Sequence, residues 1–155
     1  MQSFRINAIP TEIAESVRAA KNGTALGFPI YVDVAADAAP CRHCLRVFKP
    51  GSDRRILFTY DRFTGVEKLP QPGPVYIHAE PCQQYPSGAG FPPELRDSPR
   101  TLEAYGKGRR LVAQEYGVND TFEFLIQKLF ARPEVDYVHV NSTTAGCFTF
   151  RIDRP

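Results

Sequence analysis

Four cysteines and three histidines are the residues of this chain with the widest chemical reach, and several fall at suggestive spacings. Cys41 and Cys44 bracket Arg42 and His43, and His78 precedes Cys82 by four positions. Three chemistries suit such residues. Three thiolates and one imidazole would satisfy tetrahedral zinc, and Cys41-x2-Cys44 has knuckle spacing. His78-x3-Cys82, however, is not a common zinc pair, and the two pairs lie far apart in the chain. A C-x-x-C can also form a dithiol couple beside a basic residue. Such couples usually open a helix, and "LRVF" after Cys44 reads as strand. The third chemistry is nucleophilic: a cysteine thiolate beside a histidine base, with an arginine fork to hold an anion. Cys41, Cys82 and Cys147 are the candidate nucleophiles, His78 and His139 the bases, and Arg42 the clamp. Arg42 and the nearby Arg46, Arg54 and Arg55 should also favour thiolate at Cys41.

These groups need elements to position them. "SFRINAI" (3–9) alternates as a strand, and Thr11 can cap a helix with Ile13, Val17 and Ala20 on one face, stopped at Asn22-Gly23. "FPIYVDVA" (28–35) is rich in strand formers. "CRHCLRVF" (41–48) and "RRILFTY" (54–60) flank the turn-like "KPGSD" and read as a hairpin. "PVYIHA" (74–79) is a strand inside a stretch, 70–99, that holds more than half of the chain's 14 prolines. Such a stretch reads as a binding loop. "RRLVAQEY" (109–116) reads as strand. Residues 121–131 form an amphipathic helix, with Phe122, Leu125, Ile126, Leu129 and Phe130 on one stripe. "DYVHVN" and "GCFTFRI" close the chain as a hairpin. The expected fold is α+β, a mainly antiparallel sheet with one or two helices packed on one face, in a single domain over 1–155.

Strand parity then assigns faces. Val75, Ile77, Val138, Val140, Phe148, Phe150 and Ile152 belong to the core. Tyr76, His78, Tyr137, His139, Asn141 and Cys147 point the other way. If the strands are neighbours, His78, His139 and Cys147 share one surface, with Cys41 and Cys82 at its rim.

Composition narrows the class. A net charge of +2 gives no footprint for nucleic acid, and no apolar run is long enough to cross a membrane. The first residues, "MQSFRINAIP", lack a basic segment followed by an apolar one, so no secretory signal is read there and a cytoplasmic protein with reduced thiols is expected.

"PCR" (40–42), "GPVYIHAEPC" (73–82) and "VHVNSTTAGCFTFRIDR" (138–154) together resemble an uncharacterised bacterial family, the domain-of-unknown-function family DUF1203. The resemblance covers most of the chain and implies no reaction. It points to Cys41, Arg42, His78, Cys82, His139, Gly146 and Cys147, and to Arg100, Leu102 and Tyr105 in an Arg-then-Leu-x-x-Tyr segment. The family pattern does not include Cys44, which weighs against both the dithiol and the zinc site. The chain departs from it at Asn141, close to an arginine in the family. The expectation is a small-molecule-binding protein or enzyme with a Cys/His/Arg pocket on a sheet face, taking a small anionic ligand. Its site residues would be Cys41, His78, Cys82, His139 and Cys147, with Arg42, Arg100 and Tyr105 binding the ligand, and no metal or cofactor. A non-catalytic interaction module with structural cysteines and a structural zinc domain are the alternatives.

Overall fold

A computed structural model of the chain describes residues 3–155. In chain order the elements are β1 (Arg5–Asn7), α1 (Thr11–Arg18), β2 (Thr24–Ala25), β3 (Phe28–Pro29), β4 (Tyr31–Val34), β5 (Arg54–Asp61), β6 (Pro72–His78), β7 (Arg100–Gly106), β8 (Arg110–Gly117), α2 (Phe122–Phe130), β9 (Tyr137–Ser142) and β10 (Phe148–Asp153). All strand pairings are antiparallel, which with two short helices makes an α+β protein. The chain forms two compact units, Ala8–Tyr85 and a second that joins the residues through Asn7 to Pro86–Pro155.

The Ala8–Tyr85 unit is built on a three-stranded sheet in the order β4-β5-β6. Alternation in β5 and β6 buries Ile56, Phe58, Val75 and Ile77 in one core with Ala14 and Val17 of α1. The opposite parity carries Arg55, Tyr76 and His78. Arg55 pairs with Asp33 at 2.9 Å and Asp37 at 3.0 Å, and its guanidinium lies 4.0 Å from the centre of the Tyr76 ring. Phe48 meets the edges of Tyr76 and His78, so this face is packed as well.

The expected hairpin of 41–48 with 54–60 does not form. Residues 41–48 make a turn, held by the Leu45 N–H to the Cys41 carbonyl at 2.9 Å and the Cys41 N–H to the Arg46 carbonyl at 2.9 Å. Leu45 takes φ of 56°, the left-handed conformation that closes such a turn and stops a strand from starting. β5 pairs instead with β4 and β6. Thr11 is also not the cap of α1. It is the first helical residue, Pro10 stands before it, and no side chain caps the helix.

The second unit holds a five-stranded sheet in the order β1-β10-β9-β7-β8. Leu102, Ala104, Val138, Val140, Phe150 and Ile152 are fully buried. α2 buries Phe122, Leu125, Ile126, Leu129 and Phe130, as its period requires. Phe122 stacks on Phe91 with centroids 3.9 Å apart, and Phe91 meets the edge of Phe150. Gly117 admits this helix to β8: a Cβ there would stand 2.8 Å from Leu125 Cδ1 and 3.0 Å from Phe122 Cε1. Arg154 closes the other end of α2, donating to the carbonyls of Phe130 at 2.9 Å and Arg132 at 2.8 Å. A guanidinium there meets the open carbonyls and the negative pole of the helix.

Phe148 is buried as expected, but on the other face of the sheet from the one parity assigned. The register slips between Phe148 and Phe150, so Phe148 stands opposite Asn141 and packs its ring 4.9 Å from His139. One extra residue in the strand turns the side chain to the other face.

Because Leu129 is almost wholly buried, Leu129→Ala should lower unfolding free energy by about 2–5 kcal/mol. Denaturant unfolding of the two proteins measures this, and an unchanged midpoint would show that the α2 stripe carries no core.

Candidate metal centre

The outer edge of β6 gathers the site. The Tyr76 carbonyl accepts the Arg42 N–H at 3.0 Å, and the His78 N–H donates to Cys41 Sγ at 3.3 Å. The cysteine turn thus lies along an edge that would otherwise expose unpaired backbone groups. Cys41 and Cys44 leave this turn together. β6 ends at His78, and the loop that follows brings Cys82 back within four residues. Cys41 and Cys44 are buried, while His78 and Cys82 are half-buried.

The sulfur atoms of Cys41, Cys44 and Cys82 and a ring nitrogen of His78 all lie within 4.8 Å of one another. Cys41 Sγ and Cys82 Sγ are 3.9 Å apart, and Cys44 Sγ is 3.5 Å from His78 Nδ1. Tetrahedral zinc, with bonds of about 2.3 Å to sulfur and about 2.0–2.1 Å to nitrogen, requires S···S edges of ~3.8 Å and S···N edges of ~3.6 Å. These two edges match a zinc site, and the four donors together have its chemistry.

The surroundings fit as well. His78 Nε2 stands 3.2 Å from Asp53 Oδ2. An N–H there leaves the Nδ1 lone pair facing the sulfurs, the orientation a carboxylate imposes on a metal-binding histidine. Asp53 is held in turn by the Lys49 N–H at 2.9 Å, which with His78 keeps its carboxyl below the usual range. Around Cys82 Sγ stand Arg18 Nη2 at 3.1 Å and His43 Nδ1 at 3.2 Å. His43 Nε2 reaches Thr11 Oγ1 at 3.1 Å, which accounts for the helix residue that does not cap. Arg18 Nε also donates to the His78 carbonyl at 3.0 Å, tying α1 to the end of β6.

The cluster drives its Cys82 and Cys44 thiols in opposite directions. Hydrogen bonds from Cys41 and Cys44, then His43 and His78, hold the Cys82 thiol far below its ordinary range. Hydrogen bonds to Cys41 and Cys82, together with burial, push Cys44 far up. The neighbouring Cys41 and Cys82 sulfurs raise His78 to about 10.

A family model described as a protein of unknown function, DUF1203, matches residues 38–154. The chain belongs to the DUF1203 family. No curated protein and no solved structure matches it. Within this DUF1203 chain the matched span takes in Cys41, His43, Cys44, His78 and Cys82, while Thr11 and Arg18 precede it.

Of the remaining expected site residues, Arg42 lies in the cysteine turn without joining the cluster, and the others lie elsewhere in the fold. His78 and His139 are not on one sheet: His78 ends β6 of the three-stranded sheet, and His139 belongs to β9 of the five-stranded one. Parity fixes a face but carries no strand order. His139 is fully buried among the rings of Tyr105, Tyr137 and Phe148, so its face is not a solvent-facing one. Cys147 sits in the turn before β10, its thiol directed to the Ala145 carbonyl. Arg42 is buried and donates to the Pro40 carbonyl at 2.7 Å. Arg100 is buried and donates to Ser98 Oγ at 2.7 Å, and the Tyr105 hydroxyl donates to Glu103 Oε2 at 2.6 Å. Cys44 was weighed as a zinc ligand and left out of the expected site, and His43, Asp53, Thr11 and Arg18 were not among its residues. The first two had a signal in the C-x2-C spacing itself. The other three meet the site only through tertiary structure.

Cys82 combines partial exposure with the stabilised negative charge. In metal-free protein at pH 6, iodoacetamide should modify Cys82 ahead of Cys41 and Cys44, and His43→Gln should slow that modification several-fold. Peptide mass spectrometry reads both, and preferential labelling of Cys44 would contradict the charge assignment.

Proposed function

We propose that this DUF1203 protein is a zinc protein whose ion is held by Cys41, Cys44, His78 and Cys82. The observation that carries the reading is the gathering of these four donors within 4.8 Å of one another, with the Asp53 carboxylate on the far nitrogen of His78. Four protein ligands leave no open position, so the centre is structural rather than hydrolytic. It fastens three segments that otherwise meet through few hydrogen bonds: the 41–44 turn, the end of β6 and the loop carrying Cys82. Three thiolates and a neutral imidazole around Zn²⁺ leave one net negative charge, and Arg18 at the Cys82 sulfur offsets it.

The reading reverses the expectation of a metal-free protein. The unusual His78-x3-Cys82 spacing is no obstacle, because a strand end followed by a returning loop brings both side chains to one point.

A second reading rests on the contact of His43 Nδ1 with Cys82 Sγ, oriented by Thr11. A nucleophile, a base and a group that orients the base are the parts of a catalytic thiol. Arg18 would then hold a small anionic substrate.

Elemental analysis of the purified protein separates the two. About one zinc per chain, lost on Cys44→Ser, is the expected result. A metal-free protein with all four thiols titratable would instead favour the thiol reading. Asp53→Asn should retain the fold and weaken zinc binding roughly 10–100-fold in chelator competition. Unchanged affinity would show that the carboxylate does not orient the ligand.

A further inference from the structure

The four ligands of the centre are not equivalent. Cys41 and Cys44 are buried in a turn closed by its own hydrogen bonds, whereas Cys82 is half-buried on a loop. That loop is anchored by the Ala79 N–H to the Arg54 carbonyl at 3.0 Å and by the Tyr85 N–H to the His43 carbonyl at 2.9 Å. Among the described residues, no backbone–backbone hydrogen bond holds positions 80–84 between those anchors. Cys82 is thus the half-buried cysteine of the cluster, on a segment held through side chains: Arg18 and His43 at its sulfur, and Gln84 Nε2 on the Ile9 carbonyl at 3.3 Å. The Cys41 sulfur stands 3.9 Å from that of Cys82. A disulfide requires about 2.05 Å, so an approach of about 2 Å closes the bond.

We propose that the centre is a peroxide-sensitive release site, in which a hydroperoxide oxidises Cys82, Cys41 resolves it as a disulfide, and the zinc departs. The inference rests on the zinc reading above. With hydrogen peroxide, the Cys82 thiolate attacks one oxygen. The S–O bond forms, the O–O bond breaks, and the leaving hydroxide takes a proton to become water. Cys82 has then lost two electrons as a sulfenic acid and is no longer a thiolate ligand. The Cys41 thiolate attacks the Cys82 sulfur, the S–S bond forms, and the S–O bond breaks with loss of a second water. Two thiolates, one peroxide and two protons become one disulfide and two waters. Cys44 and His78 remain, too few to retain a structural ion. Arg18 and His43 face the sulfur at which the first step occurs. Reduction restores both thiolates, so the change is reversible.

The test uses the full zinc-loaded chain with hydrogen peroxide and a chromogenic chelator that reports free zinc. One zinc per chain should appear together with a Cys41–Cys82 disulfide in peptide mapping, and dithiothreitol with added zinc should return the bound form. Cys147→Ser should release zinc at the parent's rate. Cys82→His keeps a fourth ligand without the thiol, and should slow release at least tenfold. Should that variant fail to bind zinc, the disulfide map of the unaltered chain decides. Protein that holds no zinc before peroxide is added defeats the centre itself. Zinc that is present yet retained through peroxide, or released with a Cys41–Cys44 bond or an irreversible sulfinic acid, overturns the inference while leaving the centre standing.

Discussion

The outer edge of β6 is the constraint on which the Ala8–Tyr85 unit depends. A terminal strand leaves every second N–H and C=O without a partner, and burial makes that costly. Here the pairing is taken over by a turn and not by another strand. The Tyr76 carbonyl receives the Arg42 N–H, and the His78 N–H finds a sulfur. The solution to an edge problem is therefore also what sets Cys41 beside His78. Leu45 in the left-handed region is part of the same arrangement, because a straight continuation of 41–48 would carry Cys44 away from the cluster.

Electrostatics follow from that packing. Three sulfurs within a few ångströms cannot all be anionic without compensation, and the neighbours supply it on both sides. Asp53 faces the histidine, while Arg18 and His43 face the outermost sulfur. The acidic partner sits on the side of the cationic or metal-bound group, and the donors sit on the side of the thiolate. That polarity distinguishes the cluster from cysteines that merely fill space, which need no directed donors.

Much of the fold was legible because it rests on periodicity. The α2 stripe, the β6 alternation and the closing hairpin all follow from where apolar residues recur. The failures share a physical cause. The strand reading of "CRHCLRVF" relied on residue preference, and one left-handed leucine overrode it. Phe148 obeyed a bulge that no alternation reveals. For the centre, His78 and Cys82 were legible as chemically able residues, but their union with Cys41 and Cys44 is a tertiary fact. Cys44 was discounted because a resemblance omitted it, although the spacing pointed to it. Thr11 read as a helix cap because threonine before a helix usually is one, and here its hydroxyl serves a histidine 32 positions away.

That diverted hydroxyl makes α1 more than a cover for the sheet. Thr11 and Arg18 are seven residues apart, two helical turns or about 10.5 Å, and so lie on one stripe with the buried Ala14 between them. One end of the stripe steers His43, and the other reaches both Cys82 and the last carbonyl of β6. A helix of 8 residues with no side-chain cap has little stability of its own. Helix and cluster are consequently one cooperative unit, and free energy passes between them in both directions. Whatever ligand tightens the sulfur cluster also shifts the helix–coil balance of α1 toward helix, and melting α1 weakens that ligand's hold by the same factor.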